Sequence, residues 1–144
     1  MTIRMDHAGI VVEDLAAAVA FFLELGLELE GETVVEGPWV DQLIGLAEVR
    51  ADIAFLRVPD GSGRLELSTF QNPTSTRTAH REPVNTPGIP RLTFVVEDTA
   101  EVFERLRPHG AELVGEIAQY KDIYRYGYVR GPGGVIIGLV QELD

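Results

Sequence analysis

Two stretches of the chain alternate between apolar and polar residues, and each is followed by apolar residues at helical spacing. The alternation predicts a strand with one buried face, and the spacing predicts a helix that packs on it. The apolar strand positions are Ala8, Ile10 and Val12, then Leu92, Phe94 and Val96. The apolar helix positions are Leu15, Val19 and Phe22, then Val102, Phe103 and Leu106. Asp14 and Asp98 stand between strand and helix and are predicted N-caps.

The two stretches are copies of one segment. Residues 5–14 align without a gap on residues 89–98, and the tetrapeptide Val-Val-Glu-Asp is identical in both. The same offset matches Gly26 to Gly110, each just past a predicted helix, where a left-handed residue is favoured. A duplicated supersecondary unit predicts a pseudo-symmetric domain with its pocket where the copies meet.

Three more strands are predicted in each copy, so the order β-α-β-β-β occurs twice and the fold class is α+β. They are predicted at 32–36, 50–58 and 64–70, then at 112–118, 124–130 and 135–142. A short helical or looped piece from Trp39 to Glu48 is inserted in the first copy, and glycine-rich turns precede both last strands. The predicted organisation is one domain, 1–144, with modules 1–70 and 89–144 joined by a linker, 71–88.

Composition narrows the classes of function. Twenty-three acidic residues against twelve basic ones give a net charge of −11, which opposes binding to nucleic acid or to anionic membranes. The absence of cysteine excludes disulfides, thiolate nucleophiles and sulfur-ligated metals. We expect a cytoplasmic protein, because neither a membrane-spanning apolar run nor an apolar leader is present in the sequence.

Three segments together carry a resemblance to a known family: residues 6–14, 88–98 and 128–139. In them the chain resembles the vicinal oxygen chelate superfamily, which includes glyoxalase I, methylmalonyl-CoA epimerase, extradiol dioxygenases and bleomycin-resistance proteins. The resemblance covers essentially the whole chain. It implies two βαβββ modules whose strands form a curved, incomplete-barrel sheet around a cleft, and a homodimer. It does not select a reaction, because one fold hosts many chemistries.

Metal-dependent members of this superfamily take ligands from the first and last strand of each module, typically His, Glu, His and Glu. On this chain the resemblance carries those four slots to His7, Glu66, Arg91 and Gly138. Arg91 cannot be a ligand, because its guanidinium stays protonated and only donates hydrogen bonds. We therefore expect no cofactor, or at most a weak divalent ion on His7 and Glu66, completed by water, substrate or a residue such as Gln119.

Strand parity independently places the same four positions on the face opposite the helices. The predicted catalytic residues are Glu66 or His7, which would move a proton beside a substrate carbonyl, and Arg91, which would stabilise an oxyanion or carboxylate. Two structural alternatives remain open. Glu66 is a simple ion-pair partner of Arg64 or Arg91, and His7 is a buried histidine of the core.

A second set of residues is predicted to bind substrate. It comprises Arg64, Ser68, Thr93, Trp39, Tyr120, Tyr124 and Tyr128. The tyrosines of the 124–130 strand share one face, which is either core or the wall of a pocket for a flat or apolar ligand.

Two functions follow for a small-molecule protein of this kind. The first is a lyase- or isomerase-type enzyme acting on a small carbonyl or carboxylate compound with a degenerate metal site. The alternative is a metal-free protein that binds a drug or natural product, of the bleomycin-resistance type. The second histidine slot holds Arg91, which disfavours an extradiol dioxygenase and ordinary glyoxalase I activity.

Overall fold

The computed structural model of the protein describes residues 2–75 and 81–143. The chain divides into two compact units, Met1–Thr78 and Ala79–Asp144. Residues 76–80 of the predicted linker lie outside the described residues. Each unit combines one mixed sheet with helices, which confirms the predicted α+β class.

The first unit is a four-stranded sheet with two helices. Its elements are β1 (Ala8–Val11), α1 (Leu15–Leu25), β2 (Glu28–Glu36), α2 (Pro38–Ile44), β3 (Arg50–Arg57) and β4 (Arg64–Asn72). The strand order is β1-β4-β3-β2, with β1 parallel to β4 and the other pairs antiparallel. β2 begins four residues before the predicted 32–36, because its first half is exposed and lacks the apolar alternation used for prediction. β4 extends two residues into the predicted linker.

The helix α1 covers one face of this sheet. The Asp14 carboxylate accepts from the Ala17 backbone N–H at 3.0 Å, which confirms the predicted N-cap. Gly26 ends the helix with φ of 127°, a conformation that favours glycine. Phe21 and Phe22 are fully buried, and α1 packs on β3 and β4. The opposite face of the sheet is therefore left for other side chains.

The second unit repeats this connectivity. Its elements are β5 (Arg91–Val95), α3 (Thr99–Leu106), β6 (Glu112–Leu113), β7 (Ala118–Tyr120), β8 (Tyr124–Arg130) and β9 (Ile136–Glu142). The strand order is β5-β9-β8-β6, with β7 also paired to β8 and β5 parallel to β9. No helix in the described part of the chain is long and apolar enough to cross a membrane.

The single strand predicted at 112–118 is wrong. β6 ends at Leu113, one further backbone hydrogen bond runs from Val114 N–H to the Tyr128 carbonyl, and strand pairing with β8 resumes where β7 begins at Ala118. The segment between them places Ile117 against Gly127, where an added Cβ would lie 3.1 Å from Ile117 Cγ1. The missing side chain at Gly127 makes the room that Ile117 occupies, so packing overrides a continuous strand.

The helix α3 covers one face of the second sheet. Asp98 accepts from the Glu101 backbone N–H at 3.1 Å, which confirms the second predicted N-cap. Thr99 is fully buried, and its hydroxyl donates to the backbone carbonyl of Leu139 or Arg125, at 3.2 and 3.1 Å. These contacts join the start of α3 to β8 and β9, on the side where Gly127 faces the helix.

Candidate functional site

Glu66 lies on the face of the first sheet that is opposite α1. Its neighbours in β4 point toward the helix and are buried, whereas Glu66 is half-buried. Gly9 of β1 and Phe55 of β3 are its register partners. His7 immediately precedes β1 and stands two residues before Gly9, so its side chain emerges on the same side.

His7 lies between two carboxylates. Its Nε2 is 3.3 Å from Glu66 Oε2, and its Nδ1 is 2.7 Å from Asp6 Oδ2. The ring meets Phe55 edge to face, with centroids 5.5 Å apart and planes at 86°. The structure thus brings together His7 and Glu66. The His7 side chain is 31% exposed.

Arg64 forms ion pairs with carboxylates other than Glu66. Its Nε donates to Glu30 Oε1 at 2.7 Å, and its Nη1 is 3.4 Å from Asp6 Oδ2. Its guanidinium carbon lies 4.9 Å from the centre of the Phe55 ring, within cation–π range. This hydrogen bond to the Glu30 carboxylate raises the pKa of Arg64. We call Asp6, His7, Glu30, Phe55, Arg64 and Glu66 the His7 cluster.

The electrostatics of the His7 cluster favour an ionised Asp6. The hydrogen bond with His7 lowers the pKa of the Asp6 carboxyl, and the charges of His7, Arg64 and Arg4 lower it further. Asp6 is therefore a carboxylate at neutral pH. The Asp6 carboxylate can accept a hydrogen bond from a protonated His7 Nδ1. This contact directs the opposite nitrogen, Nε2, toward Glu66.

The second sheet carries an aromatic and cationic group on the face opposite α3. Tyr126 and Tyr128 meet edge to face with centroids 5.3 Å apart, and the guanidinium carbon of Arg91 is 5.1 Å from the Tyr128 ring centre. Thr93 Oγ1 and the Tyr126 hydroxyl are 3.1 Å apart. Burial raises the pKa of Tyr128, and Tyr126 raises it further, so Tyr128 stays a neutral phenol. We call Arg91, Thr93, Tyr126 and Tyr128 the Arg91 cluster.

Arg91 differs from the other described arginines in the contacts of its guanidinium. Among the residues that the structure describes, it is the one arginine with neither an ion pair nor a hydrogen bond. This is unusual in a chain with a net charge of −11, where carboxylates are abundant. An exposed guanidinium on an aromatic ring can accept an incoming anion without breaking an existing pair.

Gly138, the fourth ligand slot that the resemblance implies, is closed in by its neighbours. Gly138 of β9 lies in register between Thr93 of β5 and Tyr128 of β8. A Cβ added at Gly138 would lie 2.6 Å from Thr93 Oγ1, which is closer than real Cβ contacts. The Thr93 side chain occupies the space into which an acidic ligand would project.

The residues present do not suit a conventional metal site. The two slots in the first unit provide His7 Nε2 and a Glu66 oxygen, while the slots in the second unit provide a guanidinium and no side chain. No group of three or more His, Cys, Asp or Glu side chains arranged for a metal ion occurs among residues 2–75 and 81–143. Two donors fall below the three or four protein ligands of ordinary divalent sites.

The other residues predicted to bind substrate lie outside the two clusters. Ser68 is buried on β4, on the same face as Glu66. Trp39 is 60% exposed in the first turn of α2. Tyr120 and Tyr124 face each other across the β7–β8 hairpin, both exposed, with Lys121 Nζ 5.4 Å from the Tyr120 ring. Of this set, Arg64 contributes to the His7 cluster and Thr93 and Tyr128 contribute to the Arg91 cluster.

A shallow groove of about 500 Å³ lies beside α2 in the first unit. It is lined by Glu36, Gly37, Pro38, Asp41, Glu48, Val49, Arg50 and Asn72. Three of its four charged side chains are already engaged, because Asp41 accepts from two backbone N–H groups and Glu36 pairs with Arg50. None of the predicted site residues lines this groove.

Sequence reasoning missed three members of the His7 cluster: Asp6, Glu30 and Phe55. Asp6 is adjacent to His7, and its carboxylate could have been noted as the acceptor that fixes the histidine ring. Phe55 is the register partner of Glu66 on β3, and the sequence pattern does not show which residues of two strands are paired. Glu30 had one faint signal, the glycine that follows it within a strand pattern, since such glycines often mark bulges.

Comparison with known proteins identifies the family. Residues 4–139 match the model of the Glyoxalase/Bleomycin resistance protein/Dioxygenase superfamily, so the chain belongs to that superfamily. It is 46% identical to a glyoxalase family protein of Bacillus cereus, with a TM-score of 0.93 over 100% of this chain and 97% of that one. It is also 27% identical to the protein YwbC of Bacillus subtilis (strain 168), over 99% of this chain and 100% of that protein.

A more distant structure has the same fold. The trypanothione-dependent glyoxalase I of Leishmania major is 22% identical, with a TM-score of 0.65 over 98% of this chain and 88% of that one. At this identity the likeness shows the fold alone. The match of residues 4–139 to the superfamily model confirms the superfamily predicted from residues 6–14, 88–98 and 128–139.

Proposed function

We propose that this protein is a lyase- or isomerase-type enzyme that acts on a small carbonyl or carboxylate compound. The observation that supports this most is His7 Nε2 facing Glu66 Oε2 at 3.3 Å, with His7 Nδ1 held by Asp6. One proton can be exchanged between the two groups, so Glu66 or His7 can remove a proton beside a carbonyl and return it. Asp6 stabilises the charged ring, as a carboxylate does in an acid–base pair.

The proposed role of Arg91 is to bind the anionic part of the substrate or intermediate. Its guanidinium has no carboxylate partner among the described residues and lies over Tyr128. It can donate two parallel hydrogen bonds to a carboxylate or stabilise a developing oxyanion. In this proposal Arg91 supplies the positive charge that a metal supplies in other members of the superfamily. The described donor set supports no reaction step through a metal.

A proton-exchange experiment tests this function. The protein is incubated in D₂O with small 2-oxo acids, 2-hydroxy acids and methyl ketones, and loss of the proton next to the carbonyl is followed by NMR. We expect exchange with at least one class, and Glu66→Gln should slow it strongly, because one of the two groups that exchange the proton is lost. Glu28→Gln is the matched control, since Glu28 pairs with Arg57 and belongs to neither cluster.

A binding protein without turnover is the second candidate. The paired rings of Tyr126 and Tyr128 favour it, because they offer a flat apolar surface beside a cation. In this case ligands would perturb the tyrosine resonances, and no exchange would be seen at any enzyme concentration. Arg91→Ala should weaken binding of carboxylates about tenfold, a loss of about 1.4 kcal/mol, and leave neutral ketones unchanged.

The proposal also covers the location of the protein, its oligomeric state and its binding partners. We place it in the cytoplasm as a homodimer that binds a small molecule and neither nucleic acid nor membrane. The net charge of −11 supports the exclusion of polyanionic partners.

A further inference from the structure

The strand β2 contains one residue that its partner strand does not match. Leu29 pairs with Leu56 and Gly31 pairs with Phe55, so Glu30 is the extra residue of a β-bulge. A bulge changes the direction of the side chain that it carries, and bulges are frequent next to active sites. Here Glu30 accepts a 2.7 Å hydrogen bond from Arg64 Nε on β4, which is two strands away in the sheet.

Arg64 carries the effect of Glu30 to Asp6. With Nε bound to Glu30, the guanidinium stacks 4.9 Å from the Phe55 ring centre and presents Nη1 to Asp6 Oδ2 at 3.4 Å. Asp6 belongs to the irregular segment before β1, and its other cation, Arg4, is 3.9 Å away and largely exposed. Arg64 is therefore the contact that ties Asp6 to the sheet.

Asp6 in turn holds the histidine. The same oxygen that faces Arg64 lies 2.7 Å from His7 Nδ1, and the opposite ring nitrogen faces Glu66 at 3.3 Å. A continuous path thus runs from the bulge to the proposed proton-transfer pair. The neighbouring ion pair joins Glu28 on β2 to Arg57 on β3. Neither residue belongs to the His7 cluster.

We propose that Glu30 is a positioning residue that acts through Arg64 and Asp6 to fix the tautomer and orientation of His7. In the neutral ring Nδ1 carries the hydrogen and donates a hydrogen bond to Asp6. The lone pair of Nε2 then faces Glu66 and the ligand. The residues that fix the His7 ring all lie in the first unit. The claim that this assists proton transfer rests on the proposed function.

The test compares Glu30→Gln with Glu28→Gln by ¹⁵N NMR of the histidine rings, with His7→Asn used to assign the signals. Both glutamates lie on β2 and both lose one ion pair with an arginine on substitution. At one fixed pH we expect Glu30→Gln to move both His7 nitrogens toward the shifts of free imidazole, with loss of the Nδ1–H form. Glu28→Gln should leave them unchanged, and equal shifts in both variants would overturn the proposal.

Asp6→Asn provides a second variant that acts on His7 directly. It should shift the His7 signals at least as far as Glu30→Gln does. If Asp6→Asn shifts them and a folded Glu30→Gln does not, Glu30 is not a positioning residue. The ring measurement needs no ligand, so it succeeds or fails independently of the proton-exchange experiment. Should exchange be found, Glu30→Gln should lower kcat and leave KM near that of Glu28→Gln.

Discussion

At the scale of single residues, the proposed chemistry depends on a histidine between two carboxylates. A doubly protonated His7 donates to both Asp6 and Glu66, whereas a neutral ring donates to one and accepts from a protonated acid at the other. The ring can therefore pass a proton toward Glu66 without losing its contact with Asp6. This is the arrangement that a reversible acid–base step requires.

The lowered pKa of the Asp6 carboxyl predicts how the stability of the fold changes at acid pH. Its pKa is lowered in the folded protein, first by the His7 hydrogen bond, so the folded state binds its proton less readily than the unfolded state. The resulting stability is present above the ordinary value of 3.8 and is lost as the pH falls through the folded pKa. In thermal melts from pH 5 downward, wild type should lose its advantage over Asp6→Asn in that range.

A comparison variant separates this effect from acid unfolding in general. Asp60 also has a lowered pKa, caused by Ser62 in the β3–β4 turn. Asp60→Asn should lose its own acid dependence while leaving that of Asp6 intact. A constant difference between wild type and Asp6→Asn across the whole range would contradict the assignment.

Strand parity was sufficient to place some site residues and insufficient to pair them. It predicted that His7 and Glu66 would share a face, and the two lie 3.3 Å apart. It also left open a pair between Arg64 and Glu66, since residues two apart on a strand share a face. Arg64 instead turns to Glu30, because a bulge that no alternation reveals brings that carboxylate within reach.

At the scale of elements, one row of the second sheet shows why Gly138 has no room for a side chain. Thr93, Gly138 and Tyr128 are neighbours across β5, β9 and β8. Glycine at the centre lets Thr93 lie over the backbone and reach the Tyr126 hydroxyl at 3.1 Å. The corresponding row of the first sheet keeps a side chain, Glu66, in its centre.

This row predicts a coupling between two positions. Gly138→Ala should destabilise the protein by about 1–3 kcal/mol, because its Cβ would overlap Thr93 Oγ1 in a packed sheet. Thr93→Ala removes that oxygen, so the double variant should lose less than the sum of the two single losses. Urea denaturation of the four proteins measures the coupling, and strict additivity would show that the contact is relieved elsewhere.

Elements with a clear apolar period were predictable, and those set by exposed edges or local packing were not. α1 and α3 begin at the predicted aspartates and bury most of the predicted residues, with Leu15 half-buried. β2 is an exposed edge strand, so its first half gave no alternation. The break between β6 and β7 depends on Ile117 filling the space beside Gly127, a contact across strands that a linear pattern does not contain.

At the scale of the whole molecule, the edges of the sheets predict self-association. β1 and β5 are edge strands, and Val11 and Val95, at matching positions of the repeat, are 51% and 66% exposed. An exposed edge strand with apolar side chains is a template on which another chain can pair. Light scattering at micromolar concentration should therefore give twice the chain mass of 15.8 kDa. A mass that stays at 15.8 kDa on concentration would contradict the dimer.

The metal content of the whole molecule gives the last prediction. Of the four slots that the resemblance implies, the two in the second unit hold Arg91, whose guanidinium only donates, and Gly138, which has no side chain. Protein purified without chelator should hence carry Zn, Ni, Mn or Fe far below one equivalent. EDTA should leave its melting temperature unchanged, since a ligand stabilises the native state only while it is bound. The same melt with a known zinc protein serves as the control. A stoichiometric metal that is lost on His7→Ala or Glu66→Gln would contradict the proposed role of Arg91 and indicate metal-dependent lyase or isomerase chemistry.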